Sequence, residues 1–222
     1  MKLYRMKSLN GESLRHVLDA LVNDRIYLPH RRQMNDPAEG RVGIIQENSE
    51  FYIEVSMLGK LESKLDDTRF ASFTTSVHNI LLWAHYADGF SGIAIEYDFD
   101  VNQHHIREVT YSDETNLTTI EEANNVIDGK IPVWDTMLLT TKSAAWKYEN
   151  EWRIFGDKAH IHIKPSSIIF GYGDSVKNRK SEPHPLQKLC KRLIIPRMYL
   201  GGDHNRLYAV PFPDDVSLFK GS

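Results

Sequence analysis

Apolar residues recur from Leu3 to Leu218 in short runs separated by polar loops, and the period of each run separates helices from strands. "KLYRM" reads as a short amphipathic strand. "SLNGESLRHVLDALVNDR" then puts Leu14, Val17, Leu18 and Leu21 at helical spacing, with Asn10 or Ser13 as the cap. "RIYLP" is a second strand ended by Pro29, and residues 50–66 read as a helix. "RFASFTTS" alternates Phe70, Ser72 and Thr74 against Ala71, Phe73 and Thr75, as a strand does. "NILLWAHYA" is a short helix capped by Ser76 or Asn79. "SGIAIEYDF" is a near-continuous apolar strand suited to a buried position, and "IREVTYS" is another strand.

Helical patterns follow over about 118–128 and 132–147, the second offering Val133, Met137, Leu138 and Ala145 to a core. From there the period is mostly two. "EWRIFG", "HIHIKP", "SSIIFGYG", "RMYLGG" and "RLYAVPF" are strand-like, with one late helix, "HPLQKLCKRL". Strands at both ends and helices mainly in the first two thirds predict a mixed α+β fold, with helices around a mostly antiparallel central sheet rather than a doubly wound one. With no linker, repeat or low-complexity tract, residues 1–222 read as a single domain.

An apolar fraction of 41% in 222 residues is enough for a sizeable core. The lone Cys190 has no cysteine partner, and neither a signal peptide nor an apolar run near the roughly 20 residues of a membrane span is present. A reduced, cytoplasmic protein without a membrane partner is the expectation. The formal net charge of −3 argues against bulk electrostatic binding to nucleic acid, although seven Lys/Arg and one Glu between Lys177 and Arg197 form a local basic patch. That patch is either a solvated face or a phosphate contact.

Four places carry candidate chemistry. In "WKYENEWRIFG", an extended chain would put Glu149, Glu151, Arg153 and Phe155 on one face and Trp152 and Ile154 on the other. Two carboxylates so close raise one pKa unless Arg153 or Lys147 compensates. The pair is either a tuned acidic or cation-stabilising site, or Glu149 ends a helix in solvent while Glu151 pairs with Arg153 or a neighbouring strand. The loop "HRRQMNDPAEG" offers Asn35 and Asp36 either as turn formers before Pro37 or as pocket residues. In "LLWAHYADGFSG", His85 and Tyr86 either finish a helix or face a ligand. The His160/His162 and His104/His105 pairs have no zinc-site spacing around them, so no metal is expected.

"MNDPAEG" at 34–40, "LLWAHYADGFSGIAIEYD" at 81–98 and "KSAAWKYENEWRI" at 142–154, in this order behind "LYRM", resemble the bacterial family catalogued as domain of unknown function 2971. That resemblance brings no activity; it implies a setting among bacterial defence or mobile elements. A more distant similarity is to ADP-ribosyltransferases of the Arg/Ser/Glu class, through Arg5 in "LYRM", Thr74, Thr75 and Ser76 in "SFTTS", and Glu149-Asn150-Glu151. It implies an ADP-ribosyltransferase-like fold and NAD as cofactor. Arg5 would hold its phosphates, and Thr74 to Ser76 would support the nicotinamide pocket. Glu151 would bond the ribose 2′-hydroxyl and Glu149 would orient the acceptor. It also implies a toxin or defence effector acting on a protein or nucleic acid, with an antitoxin as a partner. The opposing expectations are a non-catalytic ligand- or partner-binding module in which Glu151 and Arg153 are structural, and a nucleic-acid-binding protein that uses the patch from Lys177 to Arg197.

Overall fold

The alternation in "KLYRMK" forms the strand β1 (Lys2–Lys7), and helix α1 (Gly11–Asn23) and strand β2 (Arg25–Tyr27) follow it. The computed structural model describes residues 1–34, 42–45, 55–113, 116–172, 185–202 and 206–215. Next come β3 (Val42–Ile45), α2 (Val55–Asp67), β4 (Phe70–Thr74), α3 (Ile80–Tyr86) and β5 (Ile93–Asp98). The middle of the chain gives β6 (His105–Glu108), β7 (Thr110–Tyr111), β8 (Asn116–Thr119), α4 (Ile120–Ile127) and β9 (Thr141–Lys142). The remainder gives β10 (Glu151–Phe155), β11 (His160–His162), β12 (Ser167–Phe170), α5 (Pro185–Arg192), β13 (Arg197–Gly202) and β14 (Leu207–Pro211). No helix among the described residues is long and apolar enough to cross a membrane.

Eight strands make one sheet in the order β14-β13-β12-β5-β1-β4-β10-β6, antiparallel except for β12 with β13. The fold is thus the expected α+β class. β5 is buried from Ile93 to Tyr97, as its continuous apolar run requires. Gly92 opens it because a Cβ there would lie 2.3 Å from the Lys7 carbonyl oxygen.

One face of this sheet is sealed by α1 and α5, through Val17, Leu21, Leu186 and Cys190 packed on Leu3, Phe73, Ile95, Ile154 and Ile168. Each such burial stabilises by roughly 1.5–3 kcal/mol. The other face carries two separate covers. Leu82 and Trp83 of α3 pack on Met6, Ala94 and Ile169, and Leu61 and Leu65 of α2 with Ala123 and Val126 of α4 pack with Phe70 and Phe155. The residues of β4 and β10 between these covers are polar, and the candidate site lies along that seam.

The sequence expectation departs from the structure at 132–147. Instead of one α-helix there are a 3-10 turn at Val133–Asp135, the short strand β9, and a 3-10 helix at Ala144–Glu149. The reason is local competition. The Thr136 hydroxyl donates to the Val133 carbonyl and the Thr140 hydroxyl to the Thr136 carbonyl, while Thr110 donates its amide to Thr140. Val133 and Leu138 are buried as expected, but Met137 and Ala145 are exposed. Leu18 of α1 is also exposed. "IREVTYS" divides into β6 and β7, and β7 pairs with β9 outside the large sheet. The residues 50–54 of the second expected helix lie outside the described residues.

Candidate active site

β1 and β4 are paired at one position, Tyr4↔Thr74, and diverge beyond it. On the far sides each strand stays paired, β1 with β5 along its length and β4 with β10 from Thr74↔Glu151 to Phe70↔Phe155. The divergence opens a cavity of about 360 Å³, lined by Arg5 and Lys7 from β1, Ser72 and Thr74 from β4, and Glu149 and Glu151. That volume is within the range of small-molecule sites. Glu96, Tyr4, Thr74 and Glu151 stand in one register row and share a face, whereas Arg5 is in register with Ile95 on the other. Arg5 and Glu151 therefore reach the same cavity from opposite faces of the sheet, through the gap between β1 and β4.

The acidic side is built at the junction of the 3-10 helix Ala144–Glu149 with β10. Asn150 takes a left-handed conformation (φ 43°), which asparagine tolerates, and so the chain reverses between the two glutamates. Both are nearly inaccessible, Glu149 at 5% and Glu151 at 3% exposure. Lys142 bridges them, its Nζ donating to Glu149 Oε2 at 2.6 Å and to Glu151 Oε2 at 3.0 Å. The Tyr86 hydroxyl donates to Glu149 Oε1 at 2.6 Å, and Arg153 Nε donates to Glu151 Oε1 at 2.8 Å. Arg153 is fully buried, with its guanidinium also donating to the Leu139 carbonyl and lying over the Phe70 ring. The Tyr111 hydroxyl accepts from the Glu151 amide at 2.8 Å, fixing the start of β10.

Burial opposes ionisation of Glu151, but the Arg153 charge and hydrogen bond, Lys142 and the Ser72 hydroxyl outweigh it and hold the carboxyl down at about 2. Burial also opposes the charge on Lys142, yet Glu151 and Glu149 raise its pKa. The Tyr86 phenol is pushed up by burial and by Glu149, so it stays a donor. Sequence spacing pointed to Arg153 or Lys147 as the compensating cation; the structure uses Arg153 and Lys142. Glu149 ends a helix, as one expectation had it, but inside the protein rather than in solvent, and it does not continue the strand face of Glu151, Arg153 and Phe155.

The opposite side is cationic. Arg5 donates to the Tyr27 carbonyl at 3.2 Å and lies over the Phe73 ring. Lys7 follows two residues on, its pKa forced well below the usual lysine range by burial and by Arg5. His16 stacks on Tyr27 at 4.7 Å, and burial, Lys7 and Arg5 together lower its pKa.

Of the residues singled out from the sequence, Arg5, Thr74, Tyr86, Glu149 and Glu151 meet at this cavity. Thr75 is exposed and Ser76 donates its amide to the Thr74 hydroxyl; neither lines the cavity, and nor does His85, which is exposed beside Tyr148. Asn35 and Asp36 lie outside the described residues. Of the basic patch from Lys177 to Arg197, residues 177–184 also lie outside the described residues; Lys188, Lys191 and Arg192 are exposed on α5, and Arg197 is buried in a bidentate pair with Asp215 and so is removed from the patch. Among the described residues no group of three or more His, Cys, Asp or Glu is placed to hold a metal ion.

Sequence reasoning missed Lys142, Ser72, Trp146 and Lys7. Period two alone could have found two of them, since Ser72 alternates with Thr74 and Lys7 with Arg5. Lys142 carried no such signal, because it reaches the glutamates only through the irregular turns that replace the expected helix. Its ammonium also sits 4.9 Å from the centre of the Trp146 ring.

No curated protein and no solved structure matches the chain. A family model described as "Protein of unknown function (DUF2971)" matches residues 82–154, about a third of the chain. The matched stretch runs from α3 to β10 and so contains Tyr86, Lys142, Glu149, Glu151 and Arg153, the whole acidic side of the cavity, while Arg5, Lys7 and Thr74 precede it. Over this stretch the chain is similar to that family, in support of the resemblance read from its motifs.

Proposed function

We propose that the cavity binds NAD and that the protein transfers its ADP-ribosyl group to a macromolecular acceptor, as a bacterial toxin or defence effector. The observation that carries this reading is the convergence of Arg5, Thr74 and Glu151, far apart in sequence, on the neighbouring strands β1, β4 and β10 around one cavity. NAD would supply a ribose whose bond to nicotinamide breaks with positive charge developing at the anomeric carbon. Glu151 suits that charge because it is anionic at any physiological pH and fixed by Arg153, so it needs no reorganisation as the charge appears. A carboxylate offers about four acceptor positions, and Arg153, Lys142 and Ser72 occupy three, which leaves one for a ribose hydroxyl. Glu149, held by Tyr86 and Lys142, stands beside it to orient the acceptor nucleophile, whose proton is released as the new bond to the anomeric carbon forms. Arg5, with one N–H on Tyr27 and the rest free to turn inward, holds the phosphates.

The engagement of both Glu151 oxygens favours a second reading, a binding module in which the acidic side is structural. Thermal melting with increasing NAD, followed by an assay for free nicotinamide, separates the two. Transfer predicts a saturating rise in Tm and nicotinamide release that Glu151→Asp reduces at least tenfold with the fold intact; a saturating shift without release makes the protein an NAD-binding module, and no shift removes the transferase and leaves a binding module for another ligand or partner.

A further inference from the structure

We propose that Arg5 and Lys7 together form a two-cation subsite for a ligand bearing adjacent negative charges of the diphosphate class, with Lys7 as a second anion-binding residue. This deepens the transferase reading, and rests on it for the identity of the rest of the ligand.

The argument starts from β1. Residues two apart on a strand share a face at a separation of about 7 Å, so Arg5 and Lys7 present like charges side by side. Neither is in an ion pair with any described carboxylate, although the cavity holds two glutamates on its other side. The charges of those carboxylates are already balanced by Lys142 and Arg153, so neither is a counter-ion for β1. The nearest other carboxylates, Glu12 and Asp19, act on His16 rather than pairing with Arg5 or Lys7, and Asp19 is taken by Arg25. Tyr27 and Tyr97 are phenols, and His16 is packed against Tyr27.

Keeping both groups charged with no anion between them is costly to the folded protein, because each loses water and repels the other, and the Lys7 amine is accordingly pushed well below the usual lysine range. The arrangement is favourable only when an anion lies between the two groups. Arg5 then offers a planar fork and Lys7 three rotatable donors, a combination suited to two linked phosphoryl groups rather than one carboxylate. A ligand spanning the cavity would carry its phosphates toward β1 and its hydroxyls toward Glu151.

The test uses inorganic pyrophosphate as the probe, with orthophosphate beside it, on the full chain and on Lys7→Met. Isothermal titration should show saturable binding of pyrophosphate by the wild type, tighter than that of orthophosphate and weakened at least tenfold in Lys7→Met. Without pyrophosphate the variant should melt no lower than wild type, since an unpaired cation has been removed. A Tm several degrees lower would make Lys7 a structural cation and overturn the proposal, and so would pyrophosphate binding equal in both proteins. Lys7→Gln, which keeps a polar tip, gives the same comparison independently. Lys7-dependent pyrophosphate binding without nicotinamide release from NAD would retain the subsite and remove the transferase. Nicotinamide release and pyrophosphate binding that both ignore Lys7 would retain the transferase and remove the subsite.

Discussion

On the β10 side of the cavity each charge has a partner at hydrogen-bond distance, whereas on the β1 side Arg5 and Lys7 have none of opposite sign among the described residues. The β10 network of Glu149, Glu151, Lys142 and Arg153 sums to zero, so it is complete in the resting protein. The β1 side brings together two basic groups without a counter-ion among the described residues. One side is thus preorganised by the fold, and the other, on the proposal above, is completed by an anion. The match to a family of unknown function falls on the preorganised side.

The largest test of this contrast is Glu151→Gln. It removes the charge shared by the fully buried Arg153 and by Lys142 while keeping the shape, and breaking one partner of a buried pair costs about 3–5 kcal/mol. Urea unfolding at neutral pH measures it. Adding Arg153→Met to Glu151→Gln should restore part of the loss, because the stranded cation is then gone. A cost below about 1 kcal/mol would place Glu151 among exposed ion pairs and erase the difference between the two sides. For this reason Glu151→Asp, which keeps the charge, is the better variant for activity.

The next effect is on pH dependence. The Glu151 carboxyl titrates near 2 in the folded protein, below its ordinary value of 4.5. The unfolded chain therefore takes up the proton first as pH falls. Its contribution to stability is fully present above about pH 4.5 and is lost between there and about pH 2, amounting to about 3 kcal/mol. Unfolding free energies measured from pH 6 to pH 2 should fall in wild type, and in Glu151→Gln this component of the slope should be missing. Equal slopes in the two proteins would assign the acid sensitivity to other carboxylates.

The same contrast explains what could be read in the sequence. Many of the regular strands and helices were legible because their apolar periods are local: β5 from an unbroken apolar run, β10 from alternation, α1 from Val17 and Leu21; β3 was not read, and β8 takes Thr118 and Thr119 from the expected start of α4. Arg5, Thr74 and Glu151 were legible as motif residues, but that β1, β4 and β10 are neighbours is a matter of topology and has no local signature. Lys142 was lost for a sharper reason. Helical spacing over 132–147 hid the hydroxyl-to-carbonyl bonds of Thr136 and Thr140 that break the helix and send β9 to the glutamates. Lys7 was missed because a lysine at a strand end ordinarily points to water, and only the divergence of β1 from β4 encloses it.

Tyr86→Phe gives the smallest effect and the finest probe of the preorganised side. The ring stays while the hydroxyl bond to Glu149 Oε1 is lost, which should cost about 1–2 kcal/mol. Burial and Glu149 push the phenol far above its ordinary value, so it remains a donor throughout the accessible range. The cost should then be the same at pH 7 and pH 9, read as the difference in urea unfolding between wild type and variant. A cost that fades by pH 9 would mean that the phenol ionises there, and that the acidic side is open to water rather than closed as its hydrogen bonds imply. A cost constant with pH would instead fix Tyr86 as the link through which α3 holds Glu149 in place, independently of what occupies the β1 side.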